Sequence, residues 1–163
     1  MTKSAKAPPV PATDRTPYAL HRHHRPRRRR PQHAGRRPLA TVWSLHTDVD
    51  DWPAWNAGID RARLTGPLAV GTAFTWLTHG MSITSTIREL VPGKRIVWDG
   101  TVQGIIGTHV WTFEPTDAGV LVHTEESWSG DPVDAAVDEL TTALRTSLQS
   151  WLDCLKARAE QPA

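Results

Sequence analysis

The chain has 163 residues, enough for one domain with a hydrophobic core, and its formal net charge of +2 conceals two unlike segments. Residues 1–40 contain eleven Lys or Arg against one acidic residue, a net charge of +10, whereas residues 41–163 contain eight against sixteen, a net charge of −8. The single cysteine, Cys154, excludes an intrachain disulfide and a Cys-based metal site. Because no apolar stretch could cross a bilayer or serve as a signal-peptide core, we expect a soluble, cytoplasmic protein.

Residues 1–38 are predicted to form a disordered tail rich in Arg, Pro and His, with an unbroken arginine run from Arg27 to Arg30. Clustered arginines can bind phosphates by releasing counterions, but no folded nucleic-acid module accompanies them. We therefore expect no nucleic-acid partner except through this tail. A misassigned start or a shifted reading frame in GC-rich DNA would produce the same composition.

The folded part is predicted to begin with a helix over Thr41 to Val49, where Val42, Leu45 and Val49 are the apolar positions, followed by a short helical turn in DDWPAWN. Runs that favour strands follow, separated by Gly, Pro or Asp turn residues. The predicted strands are Ile59 to Leu64, Thr72 to Thr78, Met81 to Leu90, Arg95 to Val102, Ile106 to Glu114 and Val120 to Trp128.

The turns predict the register of the four hairpins formed by the last five strands, because cross-strand partners in an antiparallel hairpin share a face. The hairpins close at His79-Gly80, Pro92-Gly93, Gln103-Gly104 and Asp117-Ala118. All four registers select the same inner face. The residues on that face are Phe74, Trp76, Ile83, Ser85, Ile87, Ile96, Trp98, Gly100, His109, Trp111, Phe113, Val122, Thr124, Glu126 and Trp128.

A long C-terminal helix is predicted to cover this face. Asp131 is the expected N-cap and Pro132 the first helical residue, in a helix of about 28 residues. Its apolar stripe contains Val133, Val137, Leu140, Leu144, Leu148, Trp151 and Leu155.

Four segments together carry a resemblance to a known superfamily: VWSLHTDVDDWPAWN, LTGPLAVGTAFTW, ITSTIRELVPGKRIVW and HVWTFEPTDAGVLVHTEESWSG. In this order and spacing, residues 39–160 resemble the START-like (SRPBCC) superfamily, and most closely its polyketide cyclase/dehydrase-like branch. The resemblance implies an α+β helix-grip fold, in which a curved antiparallel sheet wraps around the C-terminal helix and encloses a cavity for an apolar ligand. Members normally begin with a strand, but residues 31–40 lack an alternating apolar pattern, and an open sheet edge would favour a homodimer.

The aromatic residues on the inner face offer a large, rigid surface to a flat or sterol-like ligand, although each could also simply fill the core. Trp52 and Trp55 could border the cavity entrance, and Ser85 and Thr124 could orient a ligand hydroxyl or carbonyl. Trp43 and Trp151 are interpreted as helix-packing residues. The residues predicted to contact the ligand are Trp52, Trp55, Phe74, Trp76, Ile83, Ser85, Ile87, Trp98, Trp111, Thr124 and Trp128.

His109 and Glu126 are the strongly ionisable residues on the inner face, and the register makes them neighbours. Buried together, they could act as general acid and base on an enolisable ketone, or they could form a hydrogen bond that only anchors two strands. Glu126 could also reach the cavity rim and stay solvated. No metal site or cofactor is expected. The GPLAVGT segment lacks the lysine of a phosphate loop, and no Gly-x-Ser-x-Gly elbow or His-Glu-x-x-His helix is present.

Three functions remain open at this point. The first is binding of a hydrophobic or aromatic small molecule, of lipid, sterol or polyketide type, in the cavity. The second is a polyketide cyclase or dehydrase activity that uses His109 and Glu126. The third is a protein-interaction domain of the chaperone-activator type, which would require an exposed apolar patch outside the cavity.

Overall fold

The computed structural model describes residues 27–28, 32–33 and 38–161. The elements in chain order are β1 (Arg27–Arg28), β2 (Gln32–His33), α1 (Leu39–Thr47), a 3-10 helix (Val49–Asp51), α2 (Trp52–Trp55), β3 (Ile59–Leu64), β4 (Ala73–Thr78), β5 (Met81–Val91), β6 (Arg95–Val102), β7 (Ile105–Thr116), β8 (Gly119–Ser129), α3 (Asp131–Ala135) and α4 (Val137–Glu160). A curved antiparallel sheet faces a long C-terminal helix, which confirms the predicted α+β helix-grip fold. None of the described helices has the length and apolar character needed to traverse a bilayer.

Helix α1 begins two residues earlier than the sequence pattern indicates. The Pro38 carbonyl accepts hydrogen bonds from the backbone amides of Thr41 and Val42, so the first helical turn forms directly after the proline. The inner stripe also differs from the prediction, because His46 is fully buried whereas Leu45 is only half-buried. Four residues separate Val42 from His46, so the two side chains lie on the same face of the helix.

Strands β3 to β8 form the predicted antiparallel meander, in the spatial order β8-β7-β6-β5-β4-β3, and their ends match the predicted strands to within two residues. The predicted cross-strand pairs are observed: Trp76 with Ile83, Phe74 with Ser85, Ser85 with Gly100, Ile87 with Trp98, Trp98 with His109, Ile96 with Trp111, His109 with Glu126, Trp111 with Thr124, and Phe113 with Val122. Two hairpins close through two-residue turns in which both residues have positive φ, at His79-Gly80 and Gln103-Gly104. This geometry matches the twist of the flanking strands.

One bulge alters the inner face near the β5–β6 turn. Arg88 is the extra residue, and beyond it Leu90 rather than Glu89 lies opposite Ile96. The carboxylate of Glu89 instead pairs with Arg95 at 3.1 Å. The bulge thus keeps a charged side chain away from the apolar interior.

The outer edge of β8 is paired with two short strands that the sequence pattern does not reveal. Arg27 and Arg28 lie opposite Glu126 and Glu125, and Gln32 and His33 lie opposite Val122 and Leu121. The family's first strand, for which residues 31–40 show no alternating apolar pattern, is therefore present as two short strands paired with β8. The rest of the predicted tail, residues 1–26, 29–31 and 34–37, lies outside the described residues, and its disorder stays a prediction.

The C-terminal helix is interrupted, in contrast to the single helix that was expected. Gly130, not Asp131, is the residue before the first helical turn, and Ala136 (φ −144°, ψ 45°) separates α3 from α4. Asp138 and Glu139 in the first turn of α4 favour a new helix start there, because carboxylates stabilise helix N-termini. The predicted stripe is buried at Val133 and from Leu144 to Leu155, but Val137 is exposed.

A close backbone approach at Gly130 precedes the first of the two helices. This residue has φ +118°, and a Cβ atom added to it would lie 2.2 Å from the carbonyl oxygen of Gly104. Only glycine fits such a position without moving the β6–β7 turn away from α3.

We predict that Gly130→Ala lowers the free energy of unfolding by at least about 2 kcal/mol, because it combines a left-handed backbone with a steric clash. Gly66→Ala is the matched control, since a Cβ atom there meets only the Thr72 methyl group at 3.6 Å. Urea unfolding measures both variants. Equal stabilities of the two variants would contradict the proposed backbone contact.

Candidate functional site

The interior between the sheet and α4 is lined by the predicted ligand-binding residues. Trp52, Phe74, Ser85, Ile87, Trp98, Trp111 and Thr124 are buried, whereas Trp55, Trp76, Ile83 and Trp128 are half-buried. The structure therefore brings these side chains to one region, as the register predicts. Their contact with a ligand stays a prediction.

Trp151 of α4 lies at the centre of this region rather than at its margin. Its ring centroid is 5.0 Å from that of Trp52, 5.8 Å from Trp111 and 6.2 Å from Trp76. These edge-to-face contacts join α4 to α2, β7 and β4. The interpretation of Trp151 as a helix-packing residue is thus compatible with its position, but it also forms part of the interior wall.

Trp52 and Trp55 both belong to α2, but Trp52 is buried whereas Trp55 is half-buried. Trp52 is 1% exposed, and its Nε1–H donates to the His46 carbonyl oxygen at 2.8 Å, so it packs in the core. Their neighbour Pro53 lines an open cleft of about 540 Å³ beside the edge strand β3, together with Ala62 and Trp76. Trp76 separates this cleft from the interior rings.

Polar side chains form a continuous row across the inner face of β7 and β8. The Nε2 atom of His109 lies 2.7 Å from Thr124 Oγ1, and its Nδ1 atom lies 3.6 Å from Glu126 Oε2. The other carboxyl oxygen of Glu126 accepts a hydrogen bond of 2.8 Å from Trp128 Nε1–H. Thr124 can accept from Nε2–H of His109 in the tautomer that leaves the Nδ1 lone pair facing Glu126.

The charge state of the His109 and Glu126 pair is set mainly by burial. Desolvation raises the pKa of Glu126 from 4.5 to about 7, partly offset by the hydrogen bond from Trp128. Desolvation, with a smaller contribution from His46, holds the pKa of His109 well below 6.5. The 3.6 Å approach is therefore a contact between a neutral base and a largely protonated acid below pH 7, not an ion pair.

Two glycines on the inner face let neighbouring polar groups reach their positions. Gly100 and Gly107 are directly paired across β6 and β7. A Cβ atom on Gly100 would lie 2.7 Å from Ser85 Oγ, and one on Gly107 would lie 3.3 Å from the Trp128 ring. The hydroxyl of Ser85 in turn accepts a 3.1 Å hydrogen bond from Trp76 Nε1–H.

His46 is a buried interior residue that the sequence reasoning missed. Its side chain has 0% exposure, and its ring lies 4.4 Å from Trp111 and 5.7 Å from Trp98 between centroids. The four-residue spacing from Val42 could have revealed it, but a polar residue in a helix is usually exposed. Among the described residues, no group of three or more His, Cys, Asp or Glu side chains is arranged to hold a metal ion.

Comparison with known proteins identifies the family. The model of the family described as polyketide cyclase/dehydrase and lipid transport matches residues 34–160. The chain belongs to this family. The match confirms the resemblance to the SRPBCC-type polyketide cyclase/dehydrase branch. No curated protein matches the chain in sequence.

Solved structures of this fold include an aromatase/cyclase, a di-domain ARO/CYC protein and a hypothetical protein. A hypothetical protein from Helicobacter pylori superposes with a TM-score of 0.70 and 22% identity, covering 83% of this chain and 86% of its own. The aromatase/cyclase Zhui from Streptomyces sp. R1128 gives 0.67 and 18%, covering 83% and 94%. The di-domain ARO/CYC StfQ of the steffimycin pathway gives 0.70 and 19%, covering 83% and 50%. At these identities the likeness shows the fold alone.

Burial of Glu126 predicts a specific dependence of stability on pH. Between pH 4.5 and 7 the unfolded chain loses the Glu126 proton while the folded chain keeps it, so the folded state becomes less favoured as pH rises through this window. From pH 5 to pH 8 we expect wild type to lose about 3 kcal/mol of unfolding free energy relative to Glu126→Gln. Urea unfolding across this pH range measures the difference.

Glu125→Gln is the matched control, because Glu125 points to the opposite face of β8. His46 and His109 act in the other direction, since their lowered pKa values destabilise the fold as pH falls below 6.5, but both histidines are retained in each variant. If the difference in unfolding free energy between wild type and Glu126→Gln did not change with pH, Glu126 would not be buried in its protonated form.

Proposed function

We propose that the protein binds a hydrophobic aromatic or polyketide-type small molecule between the sheet and α4. The observation that carries this proposal is a row of hydrogen-bonding groups, from Thr124 to Trp128, set into an otherwise aromatic interior wall. Ligand sites typically combine an apolar lining with a few polar groups that fix orientation. The family of the chain, which includes cyclases and lipid-transport proteins, supports the same class of ligand.

The aromatic wall favours a planar ligand over a flexible acyl chain. Trp98 contacts Phe74 and His109 at centroid distances of 5.5 and 4.9 Å, and Trp111 contacts His109 at 5.1 Å. Such rings gain most from offset or edge-to-face contact with another ring. A fused aromatic or a partly cyclised polyketide offers that contact along its length.

We predict that Trp128→Leu weakens the binding of a planar polyphenol about three- to tenfold, because one half-buried aromatic contact is lost and the Glu126 carboxyl group loses the hydrogen bond that orients it. Calorimetric titration with polyphenol, sterol and fatty-acid panels measures the effect. Thr101→Ala, on the exposed opposite face of β6, is the control and should bind as wild type does. Absence of binding to every class by wild type would reject the proposal.

A second function, acid–base catalysis of an aldol cyclisation, is favoured by the protonation states of His109 and Glu126. The Nδ1 lone pair of His109 takes a proton from the carbon between two carbonyl groups, and the resulting enolate carbon bonds to a second carbonyl carbon. The new alkoxide oxygen takes the proton of Glu126. The proton on His109 then passes to Glu126 across the 3.6 Å gap, which restores both groups.

This mechanism predicts a characteristic pH profile for turnover of a synthetic poly-β-ketone. The rate should fall as pH rises through about 7, because Glu126 loses the proton that it must donate, and it should stay level on the mildly acidic side, where His109 remains neutral. Glu126→Gln and His109→Gln should each reduce kcat about 10²- to 10⁴-fold. Glu125→Gln is the control.

If Glu126→Gln or His109→Gln turned over the poly-β-ketone at the wild-type rate, the catalytic proposal would end and the binding proposal would stand. The third function, a protein-interaction domain, stays a prediction. The large apolar side chains exposed among the described residues, Val70, Val91, Ile106 and Val137, belong to four separate parts of the chain and do not favour it.

A further inference from the structure

The innermost part of the described interior contains polar atoms without a hydrogen-bond partner. Both ring nitrogens of His46 and the Nε1–H of Trp111 are buried and unbonded, and the two rings lie 4.4 Å apart between centroids. Both side chains have 0% exposure. These three atoms belong to one small region on the α1 side of the sheet, and a fourth buried atom without a partner, Trp55 Nε1, belongs to α2.

Such a cluster is unusual because each buried unpaired polar atom destabilises a fold by about 1–3 kcal/mol. The other rings around His46 are those of Trp52, Trp98, Phe113 and Trp151, which offer no acceptor for its N–H. The Trp52 indole N–H is already bonded to the His46 carbonyl oxygen. A partner for these atoms must therefore be a molecule held in the interior, either an ordered water or a ligand.

The chemistry of the two side chains specifies what that partner offers. Burial lowers the pKa of His46 to about 3, so its ring is neutral at physiological pH, with one donor and one acceptor nitrogen. Trp111 is a donor only. An oxygen atom that accepts from Trp111 and from His46 fits both, and a carboxylate does not, because an ionised group would lose its hydration among aromatic rings.

We propose that His46 and Trp111 form an oxygen-binding subsite that takes a carbonyl or phenolic hydroxyl group at the inner end of the ligand. This inference deepens the proposed ligand-binding function and rests on it. Trp111 lies between His46 and His109, with its ring 4.4 and 5.1 Å from theirs. An oxygen held by His46 and Trp111 therefore brings neighbouring carbon atoms of the same molecule toward His109.

The subsite gives the ligand a defined direction. A poly-β-ketone or a hydroxylated fused aromatic has oxygens at regular intervals, so fixing the innermost oxygen also fixes which carbon lies beside the His109 and Glu126 pair. His46 and Trp111 are thus positioning residues for any reaction at that pair. A purely apolar ligand would leave their polar atoms unpaired and would bind less tightly.

The test uses two probes of nearly equal shape, 2-naphthol and 2-methylnaphthalene, whose affinities are measured by calorimetry for the full chain. For each protein we take the ratio of its affinity for 2-naphthol to its affinity for 2-methylnaphthalene. The general difference in hydrophobicity between the probes contributes equally to the ratios of wild type and His46→Phe, so it cancels when the two ratios are compared. We expect wild type to favour 2-naphthol about tenfold more strongly than His46→Phe does. The affinity for 2-methylnaphthalene should change little.

Trp111→Phe is the second variant and decides the question if His46→Phe does not fold. Trp98→Phe is the matched control, since it removes similar aromatic area beside both histidines, and it should weaken both probes equally. A ratio that stays at the wild-type value in both His46→Phe and Trp111→Phe would overturn the subsite. This result is also expected if ordered water alone occupies the subsite. It would leave the proposed function intact. Failure of wild type to bind either probe would instead contradict the proposed function.

Discussion

The packing of Trp151 against rings from both helical and sheet elements is the interaction on which the interior depends. Its indole contacts Trp52 and Trp55 of α2, Trp76 of β4 and Trp111 of β7. Without it, α4 would cover the sheet only through aliphatic side chains, and it would lose its ring contacts with α2. One side chain thus links α4 to the sheet and to α2 at the centre of the interior.

The same burial that stabilises this packing determines the electrostatics of the site. Removing water from an ionisable group favours its neutral form, which explains why His46 and His109 stay uncharged and why Glu126 holds its proton up to about pH 7. Burial is the largest cause of each of these three shifts. Acid and base therefore coexist side by side in their neutral forms, a combination that exposed side chains could not maintain.

Much of the sheet could be predicted because its signals are local. Alternation within each strand and the residue pairs at the turns determine the register, and the register alone places His109 opposite Glu126. What the sequence could not reveal depends on distant backbone contacts. The backbone of Gly130 approaches Gly104, which is distant in sequence, and the break at Ala136 has no local signal, since alanine by itself favours a helix.

Other features were missed because their patterns are too short or run against ordinary preferences. Strands of two residues, such as Arg27–Arg28, show no alternation, and the bulge at Arg88 changes the register by one residue without a glycine to mark it. His46 is polar, and its neutrality arises only from the rings that surround it. The hydrogen bond from Trp128 to Glu126 depends on side-chain rotamers, which the register does not specify.

The pairing of β1 and β2 with β8 has a practical consequence for how the protein is handled. Strand β8 carries Thr124, Glu126 and Trp128, and its outer edge is completed by residues 27–28 and 32–33. A shortened protein that starts at residue 39, the boundary suggested by composition, would remove those partners and leave backbone amides unpaired directly behind the polar row. The arginine-rich segment should therefore be retained in any preparation used to study the site.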